Sequence, residues 1–260
     1  MGKIIAIHSY KGGTGKTLMS INLATTLAAR GKKVALLDLD FRAPSLYAAL
    51  ETNGSEYWLN DYLNNVCEIK RSLIDLTEKY GFKNGGQFLV SLANPSTEAI
   101  RDMSAKDRKW EMRALGRLLA LKNSLLNDME LDYIIFDTSP GLQYSSINAI
   151  VSADIVLVVT TQDTSDVQGT QRMIQELYDL FDKKALLLLN KTLFNTTSFD
   201  KEKEGVAKQY EKTHNLPVLE VIPCFCDVLK AGGTFIFARD KPDHPFTKIL
   251  EEITTKIEKT

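Results

Sequence analysis

The sequence is poor in cysteine and contains no long apolar run. Its three cysteines, Cys67, Cys224 and Cys226, form an odd and sparse set, which argues against a disulfide-stapled secreted domain and fits a reducing compartment. No apolar run approaches the roughly 18 residues that a membrane-spanning helix needs. The first apolar segment begins almost at residue 1, without the pattern of a secretory signal. We therefore expect a cytoplasmic protein.

The chain also lacks an excess of charge. It has 32 basic and 33 acidic residues, for a net charge of −1. This balance excludes a global electrostatic attraction to nucleic acid or to an anionic membrane, so any such binding must come from a local patch. Of its 260 residues, 44% are hydrophobic, which is enough to build a core without a disulfide or metal staple.

Short continuous apolar runs alternate with segments of helical periodicity. The runs cover residues 3–8, 34–37, 133–136, 155–159, 185–189 and 218–222. The clearest helical segments cover residues 17–30, 108–129, 166–181 and 201–212. Continuous runs separated by helices indicate a parallel sheet with both faces covered. Without an internal repeat or a linker, residues 1–260 are predicted to form one α/β domain with a mostly parallel, twisted sheet.

A glycine-rich loop follows the first run and opens the first helix. Its residues are Lys11, Gly12, Gly13, Thr14, Gly15, Lys16 and Thr17. Glycines let backbone N–H groups approach phosphate oxygens, and the helix presents its positive end to the anion. The lysine at the helix start reaches the β- and γ-phosphates, and the following threonine holds Mg²⁺. The loop departs from the common pattern because Tyr10 replaces the first glycine and Lys11 is an additional lysine.

Further polar residues stand at the ends of the other runs, where parallel sheets bind ligands. Asp38 and Asp40 follow the second run, and Asp137 follows the third. A carboxylate beside the γ-phosphate can orient the attacking water, which is the role predicted for Asp40. The alternative is that Asp40 only caps a helix starting near Pro44. Asp38 is predicted to support the metal ion without binding it directly.

Together these motifs resemble the deviant-Walker loop and switches of the ParA/MinD family of P-loop ATPases, along nearly the whole chain. The resemblance implies ATP and Mg²⁺ as cofactors and a homodimer that encloses two ATP molecules. In that dimer Lys11 of each copy reaches the phosphates of the other. Asp40, 24 positions after Lys16, takes the place of the family's water-orienting aspartate.

The resemblance also assigns roles nearer the C-terminus. Asp137 corresponds to the Walker B carboxylate, which acts on Mg²⁺ through water, and Pro140 and Gly141 to the second switch. Asn190 and Pro223 correspond to elements that bind adenine. The acidic residue often found after that proline is Cys224 here, which weakens the expectation of side-chain contacts to the base.

The implied function is an ATP-dependent dimerising switch that positions or partitions DNA or another cargo. The alternatives are a membrane-associated division-site ATPase, a metal-cluster carrier and a scaffold that binds ATP without turnover. Residues 245–260 predict an amphipathic helix without net charge, which favours packing on the domain over membrane binding. Cys224 and Cys226 are predicted to be buried free thiols, because two cysteines cannot fill a four-ligand zinc site.

The segment from Arg101 to Lys122 carries seven basic and three acidic residues. Helical spacing places four of the basic residues on one stripe: Lys106, Lys109, Arg113 and Arg117. Such a stripe can hold a DNA backbone without sequence preference; the alternative is a solvated helix face. The leucines at 115, 118, 119, 125 and 126 are expected to pack on the sheet. Residues 51–129 should set the choice of an activating partner protein, which the sequence does not identify.

Overall fold

The computed structural model of the chain contains one eight-stranded sheet with helices on both faces. It describes residues 2–52, 56–178, 181, 183–194, 199–232 and 236–260, and for residues 178, 199 and 200 the backbone only. The strands are β1 (Lys3–His8), β2 (Lys33–Leu39), β3 (Leu73–Asp75), β4 (Gln87–Ser91), β5 (Tyr133–Thr138), β6 (Ile155–Thr160), β7 (Lys184–Thr192) and β8 (Val218–Pro223). Each of the six apolar runs in the sequence lies within a strand.

The strand order is β3-β4-β2-β5-β1-β6-β7-β8. Every neighbouring pair is parallel except β3 with β4, so the predicted fold class is confirmed. Neither β3 nor β4 is predicted from the sequence, since β3 has only three residues and β4 begins with a polar glutamine. The order places β1 at the centre, and the phosphate loop therefore leaves the sheet at its middle.

The described residues contain thirteen α-helices. They are α1 (Lys16–Ala29), α2 (Leu46–Ala49), α3 (Leu59–Leu63), α4 (Ile69–Ser72), α5 (Thr77–Tyr80), α6 (Thr97–Ser104), α7 (Arg108–Leu121), α8 (Tyr144–Ser152), α9 (Thr164–Met173), α10 (Phe199–His214), α11 (Cys226–Lys230), α12 (Phe237–Asp240) and α13 (Pro245–Glu258). Two of them continue as π-helical turns, Lys122–Asn127 after α7 and Ile174–Tyr178 after α9.

The core lies on both sides of the sheet. On one face, α1 and α13 pack against alternate residues of the strands, including Ile5 and Ile7. On the other face, α7 and α8 cover one half of the sheet and α9 and α10 cover the other half. The apolar periodicity of α1 and α13 is explained by this burial, which supplies most of the stability of such helices.

The helix predicted over residues 108–129 is correct in place but not in packing. Leu118 and Leu125 are buried, whereas Leu119 is 47% exposed, so its expected packing on the sheet is wrong. An α-helix advances by 100° per residue, and Leu119 therefore falls on the outer side of α7 beside Met112.

The C-terminal helix α13 packs on the domain. Leu250, Ile253 and Ile257 are fully buried, and Arg30, the residue that follows α1, donates to Glu258 at 2.9 Å. This is the arrangement predicted from its amphipathic pattern and its lack of net charge. Among the residues that the structure describes, no helix is long and apolar enough to cross a membrane.

Candidate active site

The phosphate loop forms the floor of a cavity at the carboxyl edge of the sheet. The cavity has a volume of about 540 Å³. It is lined by Gly12, Gly13, Gly15, Lys16, Thr17, Leu18, Asp40, Arg42, Ala43, Ser139, Pro140 and Gln143. The loop after β1, the loop after β2 and the loop after β5 thus meet at one opening, as adjacent parallel strands require. Residues 38–45, which resemble the family's first switch, and Pro140 of the second switch border the same space as the loop.

Two loop glycines adopt a conformation that other residues rarely take. Gly13 has φ of 78° and Gly15 has φ of 103°. A Cβ at Gly15 would also lie 2.5 Å from the Asn190 amide nitrogen. Position 15 therefore requires glycine both for its backbone conformation and for its close contact with β7.

Lys16 is buried at the start of α1. Its Nζ donates to Ser9 Oγ at 2.9 Å, and Ser9 Oγ in turn donates to the Lys11 carbonyl at 2.7 Å. Burial lowers the pKa of Lys16, although the nearby Asp137 and Asp40 carboxylates act in the opposite direction. The ammonium is thus held at the floor of the cavity by a neutral hydroxyl.

Lys11 points away from the loop. Its Nζ contacts Asp163 Oδ1 at 3.2 Å and Ser165 Oγ at 3.1 Å. Asp163 caps α9, and hydrogen bonds from Ser165, the Asp166 amide and Lys11 lower the pKa of Asp163 to about 2. Both side chains are about half exposed, so the pair contributes little to stability and leaves Lys11 available to another ligand.

Two buried carboxylates lie behind the loop. Asp137 Oδ1 accepts a hydrogen bond from Ser20 at 2.9 Å, and Asp38 Oδ1 accepts one from the Asp40 amide at 3.0 Å. Burial raises the pKa of Asp137 to about 6 and raises the pKa of Asp38 well above its ordinary value. The second oxygen of each carboxylate is buried without a hydrogen-bond partner among the described residues.

These unpartnered oxygens fit a site for Mg²⁺, which prefers oxygen ligands and retains bound waters. Thr17 Oγ1 lies on the same side, 3.4 Å from Ser45 Oγ. No cluster of three or more metal-ligating side chains occurs in the described part of the chain. A metal ion held by Thr17, phosphate oxygens and water-mediated contacts to Asp137 is consistent with that composition.

Asp40 lies at the rim of the cavity, half-buried. Its Oδ1 accepts from Ser139 Oγ at 2.8 Å and from the Ala43 amide at 3.3 Å. The first contact joins the first switch to the residue that precedes the second switch, and the second contact closes the turn before α2. Asp40 is therefore a turn-capping residue in this structure, and the same carboxylate lines the cavity.

Comparisons with known proteins agree with this geometry. A family model described as an AAA domain matches residues 2–193. An uncharacterised ATP-binding protein of Methanocaldococcus jannaschii is 30% identical over 259 residues, 99% of this chain and 88% of the relative. The septum site-determining protein MinD of Thermotoga maritima is 27% identical over 260 residues, 99% of this chain and 88% of the relative.

Solved structures are similar to this chain as well. The cell division ATPase MinD of Pyrococcus furiosus superposes with a TM-score of 0.77 at 26% identity, over 100% of this chain and 99% of that one. This chain belongs to the ParA/MinD family of deviant-Walker ATPases. ATP and Mg²⁺ are the cofactors of the family, and the cavity and the carboxylates described above suit both.

Of the two residues that the family resemblance assigns to adenine, Asn190 contacts the loop and Pro223 lies on the edge strand β8, and neither lines the cavity. Asn190 is buried, and its Nδ2 donates to the Thr14 carbonyl at 2.8 Å, a contact that the sequence does not predict. Pro223 ends β8 and pairs with Thr192. The segment after it packs on the C-terminal helix, where the Phe225 ring lies 6.1 Å from that of Phe246.

The neighbouring cysteines differ from the expectation of buried thiols. Cys224 is half-buried, but Cys226 is exposed at the start of α11. The short helix α11 turns its Val228 side inward instead, which leaves Cys226 on the outside.

Two of the four residues in the predicted basic stripe are held by contacts within the chain. Arg117 lies over the Tyr62 ring and donates to Asn65 and to the Cys67 carbonyl. Lys106 pairs with Asp102 at 2.8 Å. Two residues of the stripe, Lys109 and Arg113, remain exposed. Arg108, which is adjacent to Lys109 but not part of the stripe, is exposed as well. The stripe is thus shorter than its sequence spacing implies.

The sequence assigns no role to Ser9 or Asp163, which contact the loop, and it places Lys191 only in the run 189–191 that resembles a base-recognition element. Two of them carry a local signal. Ser9 links β1 to the glycine-rich loop, and Lys191 directly follows Asn190 at the end of β7. Asp163 lies 152 residues from Lys11, and nothing in the sequence indicates that contact.

Proposed function

We propose that this ATPase is a dimerising switch in which two copies bind Mg-ATP and pair through the face that carries the phosphate loops. The supporting observation is a set of exposed apolar side chains at the carboxyl edge of the sheet, the edge at which the cavity lies. They stand on the loops or helices that follow β1, β2, β5, β7 and β8: Tyr10, Tyr47, Leu142, Tyr144, Leu193 and Leu229. Exposed apolar groups concentrated on one face mark an interaction surface.

In the proposed dimer, residues of each chain have separate tasks. Lys16 binds the β- and γ-phosphates of its own chain's ATP, and backbone N–H groups of residues 12–17 surround the phosphate oxygens. Mg²⁺ would be held by Thr17 and, through water, by Asp137, with Asp38 behind it; it would neutralise phosphate charge. Lys11 leaves Asp163 and contacts the phosphates bound to the partner copy, in the manner of an arginine finger.

Asp40 couples hydrolysis to the switch. Its carboxylate lies at the rim of the cavity and can orient a water toward the γ-phosphate. Since Asp40 also accepts from Ser139, loss of the γ-phosphate alters both switch loops together. Hydrolysis in this proposal therefore separates the dimer and releases whatever the dimer binds.

The proposed role is to position or partition a cargo in the cell, with non-specific DNA as the binding partner to test first. The exposed Arg108, Lys109 and Arg113 supply the positive charge for phosphate contacts. Dimerisation doubles this charge on one particle, which strengthens weak binding through effective concentration. The packing of α13 supports DNA over a membrane surface, because its apolar residues are already buried in the domain.

ATP turnover as a function of protein concentration tests the proposal. Turnover per chain should rise with concentration, because only the dimer contains a complete site. Asp40→Ala should bind ATP but hydrolyse it at least about tenfold more slowly, as expected when the water is no longer oriented. Lys11→Ala should retain ATP in the monomer and lose the concentration dependence.

The matched control is Lys248→Ala, which removes an exposed lysine of α13 outside the cavity lining and should leave turnover unchanged. Turnover that does not depend on protein concentration would contradict the dimer proposal. Bound ATP that is never hydrolysed, at any concentration, would instead support the scaffold alternative.

A further inference from the structure

The end of β7 departs from regular strand pairing beside the phosphate loop. The register with β8 shifts between Leu189 and Thr192, and Lys191 adopts a positive φ of 57°. A left-handed conformation is uncommon for a lysine and is retained where surrounding contacts compensate for its cost. This irregularity directs two consecutive side chains, Asn190 and Lys191, to the loop.

Each of these side chains holds one carbonyl group of the loop. Asn190 Nδ2 donates to the Thr14 carbonyl at 2.8 Å, and Lys191 Nζ donates to the Gly13 carbonyl at 2.7 Å. The Lys191 amide donates back to Asn190 Oδ1 at 2.9 Å, which fixes the orientation of the Asn190 amide. The two contacts thus form one unit.

The contacts determine where the loop N–H groups point. In a trans peptide the carbonyl and the N–H of the same unit point in opposite directions. When the carbonyls of Gly13 and Thr14 are held toward β7, the N–H groups of Thr14 and Gly15 face the other way. A phosphate-binding loop needs its N–H groups to converge on the anion, so its carbonyls need donors on the outside.

We propose that Asn190 and Lys191 are positioning residues that orient the phosphate loop through its Gly13 and Thr14 carbonyls, so that their contribution to ATP binding does not depend on the base. This inference rests on the proposed ATP site but assigns Asn190 a role different from the adenine contact that the family resemblance implies. Lys191, which the resemblance places in the same base-recognition run as Asn190, likewise acquires a role toward the loop and not toward the base.

The test compares a ligand with a base and a ligand without one. Calorimetry would give the dissociation constants of Mg-ATP and of inorganic triphosphate with Mg²⁺ for the full chain and its variants. Lys191→Met should weaken both ligands by the same factor, about five- to tenfold, as expected for loss of a partly exposed charged donor. Asn190→Ala should likewise weaken both ligands, and Lys191→Arg should restore most of the affinity.

The control is Lys248→Met, the same substitution at an exposed lysine on α13 outside the cavity lining, which should change neither constant. The inference is overturned if Lys191→Met binds both ligands like the wild type. It is also overturned if Asn190→Ala weakens the binding of Mg-ATP but leaves the binding of triphosphate unchanged. That pattern is expected of a residue that contacts the base. Failure of the wild-type chain to bind Mg-ATP would instead contradict the proposed function, so the two failures are distinguishable.

Discussion

At the scale of single residues, the site is held in shape by the protein's own polar groups. Ser9 contacts the ammonium of Lys16 and Ser139 contacts the carboxylate of Asp40. Phosphate is a stronger hydrogen-bond acceptor than a neutral hydroxyl. We therefore expect ATP to displace the Ser9 contact and to engage Lys16 without a large rearrangement of the loop.

Gly15 offers the sharpest prediction at this scale. In Gly15→Ala the new Cβ would occupy a left-handed conformation and would lie 2.5 Å from Asn190 Nδ2. The variant should lose about 1–3 kcal/mol of unfolding free energy because of this strain. It should also bind Mg-ATP at least about tenfold more weakly. Urea denaturation and calorimetry measure the two effects.

The control for that prediction is Gly205→Ala. Gly205 lies within α10, and a Cβ there would meet no atom within 4 Å. The substitution should stabilise the chain by up to about 1 kcal/mol, since alanine is the better helix former, and should leave ATP affinity unchanged. A Gly15→Ala variant as stable and as tight-binding as the wild type would show that the loop adapts more freely than its geometry indicates.

The residues of the loop could be predicted from the sequence because their chemistry is local. Glycines, a lysine and a threonine at fixed spacing need only a strand before them and a helix after them. Their supporting contacts could not be predicted. Asp163 follows β6 and Lys191 lies near the end of β7, both far along the chain, and strand order decides which side chains reach the loop. The partner carbonyls of Asn190 and Lys191 likewise follow from the irregular end of β7.

At the scale of secondary-structure elements, six of the eight strands were predictable, including the edge strand β8, and β3 and β4 were not. Strands buried on both faces appear as continuous apolar runs. β3 and β4 are short and lie toward one edge, so they carry a weaker signal. The π-helical turn after α7 has no signature in its apolar spacing, since one extra residue in a turn shifts that spacing only slightly.

The other edge strand, β8, carries a buried carboxylate with a specific pH dependence. Glu220 is 3% exposed and contacts Lys203 at 2.6 Å and Lys256 at 2.9 Å. Burial by itself raises the pKa of Glu220, but the hydrogen bonds from these two lysines outweigh it, and the pKa lies below the ordinary 4.5. The stabilisation is therefore complete above pH 4.5 and is lost as the pH falls through the folded-state pKa.

Glu220→Gln should lower the unfolding free energy by about 1–3 kcal/mol at pH 7, because it leaves two partly buried lysines without their partner. The difference from the wild type should shrink as the pH falls below 4.5. Urea denaturation at several pH values measures it. Glu252→Gln, at an exposed position on α13, is the control and should stay within about 0.5 kcal/mol of the wild type. A difference for Glu220→Gln that does not change with pH would contradict the ion-pair explanation.

At the scale of the whole molecule, the face that carries the phosphate loop, here called the nucleotide face, differs in surface composition from the outer face of α7. The first combines apolar side chains with the cavity, and the second combines Lys109 and Arg113 with the exposed Met112 and Leu119. The sequence indicates the basic residues but not which of them are engaged in contacts with other residues of the chain. Arg117 finds its partners because α3 and the residues after it fold against α7, whereas Lys106 pairs with Asp102 four residues earlier in the chain.

DNA binding is the prediction that belongs to this scale. The double variant Lys109→Glu and Arg113→Glu, in an Asp40→Ala background with ATP, should bind non-specific duplex DNA at least about tenfold more weakly than Asp40→Ala alone. The variant should also show a shallower dependence of affinity on salt, since each lost phosphate contact reduces that slope by about one. A mobility-shift assay over a salt series measures both quantities.

The control for DNA binding is Lys248→Glu, which reverses an exposed charge on α13. It should leave the affinity close to that of Asp40→Ala. Equal weakening by both variants would indicate a general charge effect, and no binding by any variant would direct attention to protein cargo instead.

The central claim is that ATP, and not ADP, joins two chains through the nucleotide face. The most direct measurement is the solution mass of Asp40→Ala by light scattering, with Mg-ATP and with Mg-ADP. The claim predicts a mass twice the 29.1 kDa of the chain with ATP and the single-chain mass with ADP, and it predicts that Leu193→Asp abolishes the ATP-dependent dimer. A single-chain mass at saturating Mg-ATP, or the same mass with both nucleotides, would contradict it.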